Sequence, residues 1–188
     1  MKKAIGSLLV ILGFAFNIVQ AQAPAGYEKG SIVHANNSKE DGFVKEALGS
    51  KGNISFVSAS GSKKTYTVAD LNGFSFKSDI YIAYSNDFYK TIAIGSKASL
   101  YQKQSNNSGK LLYNGTESYT ASTTEGAIGD FYVQLNNSDD LVLVNAKNFE
   151  TATSKLFANC SIVLSDIKSK QLDFSQLSKA IEKYNNCK

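Results

Sequence analysis

Between residues 30 and 144, apolar side chains recur at every second position in short runs. Clusters of Asn, Ser, Gly and Asp break those runs. Period-two alternation bounded by turn residues predicts β-strands. The expected strands cover 30–35, 42–47, 54–60, 65–68, 73–76, 80–85, 89–94, 99–102, 111–114, 131–135 and 140–144. Ile54 and Phe56 share one parity, and Ser55 and Val57 the other. Ile80, Ile82 and Tyr84 share a face opposite Tyr81 and Ala83. Polar turns are expected at 36–41, 61–64 and 69–72. The Asn136-Asn137-Ser138-Asp139 segment joins the last two strands as a hairpin loop.

The period changes near Asn145. Phe149, Ala152 and Leu156 follow helical spacing, residues 161–168 form a short helix, and Asp173 is placed to cap a last one. That helix carries Phe174, Leu177, Ile181 and Tyr184 on one stripe. The fold class is therefore α+β: a β-rich antiparallel body (a sandwich or partly open barrel, about ten short strands) followed by a small C-terminal helical segment from about residue 146. No repeat at the period of a solenoid or propeller is visible.

The first 21 residues follow a different rule. Lys2 and Lys3 precede an apolar run over 4–19, and Val19-Gln20-Ala21 places small residues where signal peptidase requires them. Cleavage is expected between Ala21 and Gln22, with Ala21-Gln22-Ala23 as the second choice. The run is too short and interrupted for a span of ~20 apolar residues, so no membrane span is expected after processing. Residues 1–21 thus read as a signal peptide and 22–188 as one β-rich domain, exported to the periplasm, the outer-membrane surface or the medium. Processing takes the formal charge from +4 to +2.

Every basic residue is Lys. Arg is the preferred fork for phosphate and guanine, so nucleic acid is not an expected partner. Cys160 and Cys187 are the two cysteines, and an even count in an exported chain points to a disulfide between them. Free thiols and a thiolate metal site are the alternatives, the latter without a nearby His.

Candidate chemistry is sparse, and no catalytic, cofactor-binding or metal-ligating residue is assigned. His34, the single histidine, sits within a strand and reads as an ordinary surface or edge residue. No Gly-x-Ser-x-Gly elbow occurs, since Leu48 stands where the first glycine of a match around Ser50 belongs. Glu40-Asp41 and Asp139-Asp140 are neighbours in turns, and adjacent strand residues face opposite ways, which is unsuited to a carboxylate dyad. The 36–41 loop lacks the spaced ligands of a calcium loop. The pairs Phe74/Phe76, Tyr81/Tyr84 and Phe88/Tyr89 either line a ligand groove or pack across strands.

Four segments carry a resemblance. They are Tyr27-x-x-Gly30-Ser31-Ile32 with Asp41-Gly42-Phe43-Val44; Tyr66-Thr67-Val68-Ala69-Asp70-Leu71-Asn72-Gly73-Phe74; Ile94-Gly95-Ser96-Lys97-Ala98-Ser99-Leu100-Tyr101; and Cys160 with Tyr184-Asn185-x-Cys187. Together they resemble a group of uncharacterised exported proteins of Bacteroidetes-type bacteria, in which such a module often precedes an outer-membrane β-barrel. Val68 and Ser161 stand where that group usually has proline. The resemblance implies an envelope setting and a shared fold, and brings no catalytic residues. The expected function is a non-enzymatic exported module that contacts another envelope protein or a surface polymer through edge strands and exposed tyrosines. A small-ligand-binding β domain and a hydrolase acting on envelope polymer are the alternatives.

Overall fold

The computed structural model describes residues 22–187; the expected signal peptide and the Ala21 side of its cleavage site lie outside them. Twelve strands and four helices follow in chain order: β1 (Glu28–His34), β2 (Lys39–Ala47), α1 (Leu48–Lys51), β3 (Asn53–Ser58), β4 (Lys63–Thr67), β5 (Leu71–Phe76), β6 (Asp79–Tyr84), β7 (Asp87–Ala93), β8 (Ala98–Lys103), β9 (Leu111–Tyr113), β10 (Ser118–Thr120), β11 (Phe131–Leu135), β12 (Val142–Val144), α2 (Phe149–Leu156), α3 (Ser161–Lys168) and α4 (Leu177–Asn185). The molecule is a β-rich α+β fold.

Ten strands form one antiparallel sheet in the order β12-β11-β8-β7-β6-β5-β1-β2-β3-β4, and β9 and β10 form a separate two-stranded ribbon. Most neighbours in the sheet are also neighbours in sequence, so tight turns do most of the connecting. Between β6 and β7, Ser85 and Asn86 both take positive φ (44° and 62°), the twist a two-residue hairpin requires. Although β1 separates β2 from β5, those two strands approach one another, which shows that the sheet coils there.

One sheet face is covered by two different devices. Over β1–β7, Ile32, Val44, Ile54, Phe56, Tyr66, Phe74, Tyr81 and Phe88 form an apolar cluster closed by Leu112 and Ala121 from the ribbon region. Gly42 leaves room for Phe56, since a Cβ there would lie 2.6 Å from the ring. Over β8, β11 and β12, Ala98, Leu100, Val133 and Val144 pack against the C-terminal helices through Phe149, Leu156, Phe157, Val163, Ile181 and Tyr184.

The helical expectations hold with one refinement. Asp173 does cap, its carboxylate accepting from Ser175 N at 2.9 Å, but it starts a 3₁₀ turn over Phe174–Gln176 before α4 begins at Leu177. Phe174 is therefore half-buried at the entrance, while Leu177, Ile181 and Tyr184 are fully buried. Strand ends shift by a few residues: Asn53, Lys63, Leu71 and Asp87 already pair, so turns expected at 61–64 and 69–72 are shorter. β10 and the single turn α1 had no sequence signal of sufficient length.

The helical tail is fastened to the sheet by a side chain acting as a surrogate strand. Asn185 Oδ1 accepts from Lys97 N (2.8 Å) and Ala98 N (2.9 Å), and its Nδ2 donates to Ala98 O (3.0 Å). Gly95 is glycine because a Cβ would sit 2.0 Å from Asn185 Nδ2. Two of the four segments quoted above, Ile94–Tyr101 and Tyr184–Cys187, thus meet in space. Cys160 and Cys187 are joined in a disulfide across 27 residues, with Cα atoms 6.0 Å apart, closing the loop that contains α3 and α4.

A loop of that length predicts that the Cys160→Ser/Cys187→Ser protein is less stable by about 3.5 kcal/mol. Urea unfolding of both proteins without reductant measures it; an unchanged midpoint would show that Asn185 and the apolar contacts hold the tail unaided.

Candidate functional site

The densest polar constellation lies on the opposite face of the sheet, at the junction of β7 and β8. Tyr89 and Lys103 are directly across from each other, as are Thr91 and Tyr101, and Tyr101 faces Tyr132 of β11. Strand parity therefore brings Asp87, Tyr89, Tyr101, Lys103 and Tyr132 to one surface. Leu141 completes the small apolar cluster around them. Tyr89 meets Tyr132 edge-on at 5.1 Å and Tyr84 at 6.1 Å.

Inside this cage sit Lys103 and Asp87, both with fully buried side chains, with Nζ 3.1 Å from Oδ2. Oδ2 lacks a well-directed hydrogen bond, so the contact is an ion pair in which charge, not direction, satisfies the oxygen. The other carboxylate oxygen accepts from Ser105 Oγ (3.0 Å) and Asn107 N (2.9 Å). Lys103 Nζ also donates to Thr124 O (2.9 Å), Thr124 Oγ1 (3.2 Å) and Gly126 O (3.4 Å). Thr124 Oγ1 is shared with the Tyr89 hydroxyl at 2.5 Å, and the Tyr132 hydroxyl donates to Glu125 O.

Burial raises the hydroxyl pKa of Tyr89 and Tyr132; for each, the hydrogen bond to Thr124 pulls the other way and nearby acidic groups add to the rise. Nothing in the cage is open to a substrate. Its groups satisfy one another, and its effect is to hold the 121–130 loop over the β7–β8 junction.

The residues singled out from sequence are dispersed. His34 Nε2 lies 3.4 Å from Glu40 Oε2 and its ring stands edge-on to Tyr66 at the sheet surface. Asp41 pairs with Lys39 at 3.1 Å. The aromatic pairs do not line a groove. Phe74 stacks on Tyr81 with centroids 4.4 Å apart and meets Phe88 edge-on, all in the core, while Tyr84 and Tyr89 face the cage. Among the described residues no group of three His, Cys, Asp or Glu is arranged to hold a metal, and no helix is long and apolar enough to cross a membrane.

Asp87 and Lys103 are not among the residues that the sequence pattern brings forward. The available signal was parity: Lys103 follows Ser99 and Tyr101 at two-residue steps, which places a charge on the inward row.

Open grooves occur on the helical side. One of about 640 Å³ is bordered by Lys147, Glu150, Lys170, Asp173 and Phe174, and another of about 710 Å³ lies beside Ile162, Lys179 and Glu182. Both open to solvent, and both mix charges of either sign. Exposed apolar side chains include Ile94, Ile162 and two residues of the ribbon. Leu111 and Tyr113 point outward, 71% and 57% exposed, and share that face with Thr120 and Ser118. Leu112 and Tyr119 point inward, and Tyr119 Oη donates to Asn86 Oδ1 at 2.8 Å. Compared with known protein families, curated proteins and solved structures, the chain matches none.

Two outcomes follow from the cage and the core aromatics. Lys103→Met leaves Asp87 buried and unpaired, and is expected to cost about 3–5 kcal/mol; adding Asp87→Leu recovers much of that loss, a coupling that a double-mutant cycle in urea resolves.

The second concerns alkali. Burial, aided by Asp79 and Glu46, pushes the Tyr81 hydroxyl up to about 12, whereas an unfolded tyrosine ionises near 10. The raised folded value means this stability is complete below pH ~10 and is lost as pH rises through ~12, because the unfolded chain releases the proton first. Tyrosinate absorbance recorded alongside unfolding should show Tyr81 ionising with the loss of structure; ionisation of every tyrosine near pH ~10 in a folded protein would contradict it.

Proposed function

We propose that this chain is an exported, non-enzymatic contact module of a bacterial envelope, and that the β9–β10 ribbon is the surface it offers to another envelope protein. The supporting observation is the ribbon itself. A two-stranded sheet has an unpaired outer edge on each strand, and here it also presents Leu111 and Tyr113 to solvent. Free edges invite a further strand, and an exposed Tyr beside an aliphatic side chain supplies contact area with one polar end. The ribbon is anchored from below by Leu112, Tyr119 and the Asn86 hydrogen bond, so it is held in place before any partner arrives.

Three further features support the envelope setting. The N-terminal pattern is that of a signal peptide. A disulfide whose Cys160 is buried suits an oxidising compartment. The four-segment resemblance points to exported proteins. Burial raises the hydroxyl pKa of Tyr81, Tyr89 and Tyr132, whose contacts lie within the core and the cage.

The test is capture of partners from the native envelope by tagged wild-type and Leu111→Lys/Tyr113→Lys proteins, with equal thermal unfolding as the control for folding. The expected result is one protein retained by the wild type and lost by the variant. Retention of the same protein by the variant would overturn the ribbon as the contact surface. Absence of any protein partner would overturn the reading in favour of a small ligand or a polymer substrate.

A further inference from the structure

A second surface, away from the ribbon, carries chemistry of its own. The outer face of β1–β4 is the reverse of the face that carries Ile32, Val44, Ile54 and Phe56. Register places Lys29 opposite Phe43, Phe43 opposite Val57, and Val57 opposite Lys63, one continuous row across four strands. The next row toward the end of the sheet contains Lys45, Ser55 and Thr65. Tyr27, just before β1, joins it: its hydroxyl lies 2.8 Å from Ser55 Oγ, and Lys63 Nζ stands 5.6 Å from its ring centroid.

Lys29, Lys45 and Lys63 are exposed, and among the described residues none has a carboxylate within ion-pair distance. Asp41, the one carboxylate these strands put on this face, is already paired with Lys39. Three uncompensated cations therefore share a face with a half-buried aromatic ring, and Lys63 stands beside that ring. The local field is visible on Tyr27. Partial burial pushes its hydroxyl pKa up, but the Ser55 hydrogen bond and the Lys63 and Lys45 charges outweigh it and hold the value below the ordinary one.

The shape restricts the occupant. Phe43 and Val57 are buried, at 8% exposure each, so the face has no apolar wedge of the kind that enters a bilayer. Lys29 and Lys63 are three inter-strand spacings apart, roughly 14 Å, with Lys45 off the line between them. That spread suits anionic groups repeated along an extended chain better than one compact anion. Lysines act as hydrated point charges without the arginine fork, which suits carboxylates on a mobile polymer. The Tyr27 ring provides an apolar platform with a polar tip, a surface against which a sugar ring can lie.

We infer that the Tyr27, Lys29, Lys45 and Lys63 face binds an acidic polysaccharide whose sugars carry carboxylates. This is a separate surface from the β9–β10 ribbon and stands independently of the protein contact made there.

The experiment measures binding of the processed protein to polygalacturonate, to dextran as a neutral chain, and to vesicles of phosphatidylcholine with phosphatidylglycerol. Binding is expected for polygalacturonate alone, weakening steeply as salt rises. Lys29→Gln/Lys45→Gln/Lys63→Gln should lower that affinity by tenfold or more, on the order of 1.4 kcal/mol. Lys155→Gln/Lys168→Gln/Lys179→Gln removes the same charge from exposed helical positions and should leave it unchanged. Tyr27→Ala, which keeps every lysine, should weaken binding several-fold.

An equal loss in both triple variants would overturn the proposal by showing net charge alone at work. Equal binding to the vesicles would overturn it in favour of a lipid surface, and no binding to polygalacturonate would overturn it outright. Because Leu111→Lys/Tyr113→Lys leaves this face intact, polygalacturonate binding should survive in that variant, so failure at one surface is distinguishable from failure at the other.

Discussion

Burying Lys103 and Asp87 side by side at the β7–β8 junction constrains the rest of the sheet. On one side of that junction lie β8, β11 and β12 with the helices; on the other lie β7 to β4 with the ribbon. Each ion would be costly to bury alone, so the two strands are held at the register that brings the charges together. The same pair recruits the connections. Lys103 draws in the carbonyls of Thr124 and Gly126, and Asp87 holds Ser105 and Asn107. From Asn107 the network runs to Asn86, and Asn86 accepts from Tyr119 of the ribbon. A polar centre thereby sets where an apolar ribbon lies, which is specificity more than stability.

The two halves of the covered face solve one problem differently. A sheet this wide presents more apolar surface than any one element here can cover. At β1–β7 the sheet coils on itself and needs only a small ribbon as a lid. At β8, β11 and β12 three short helices do the covering, and helices of eight or nine residues are marginal by themselves. The Asn185 contacts with β8 and the Cys160–Cys187 link compensate for that weakness. Both act at the last turn of α4, where a terminus would otherwise fray. Glycine at 95 follows from this arrangement, because the approach of Asn185 leaves no volume for a side chain.

Legibility from sequence divides along the same physical lines. Alternation identified the core face of β3 and the helical stripe of α4, because burial on one side writes itself into period and composition; in β6 both rows are apolar, and the core takes Tyr81 while Ile80 is exposed. Antiparallel pairing and the α+β class followed from that. The ribbon was half visible: Leu111–Tyr113 reads as a strand, whereas Ser118-Tyr119-Thr120 has one inward residue and no periodic signal. The cage was hidden for another reason. A buried lysine looks like a surface lysine until the register places Tyr89 and Tyr101 around it, and register is a long-range property. The basic face was hidden likewise, since Lys29, Lys45 and Lys63 become neighbours only once β1, β2 and β4 are aligned.

Charge placement ties these observations to function. The chain has lysine as its only strong cation, and it uses that one residue type in two opposite ways. At position 103 the ammonium is stripped of water and surrounded by oxygens, where it fixes geometry and meets no ligand. At 29, 45 and 63 it stays hydrated on the outer sheet face with no carboxylate partner among the described residues, where it is free to meet an anion. The distinction is made by what covers each face: the 121–130 loop seals the first, and strand register alone builds the second. The proposed contact role rests on this division: the ribbon edges and the lysines of β1–β4 present area and field to solvent, while the charged pair at β7–β8 is closed off.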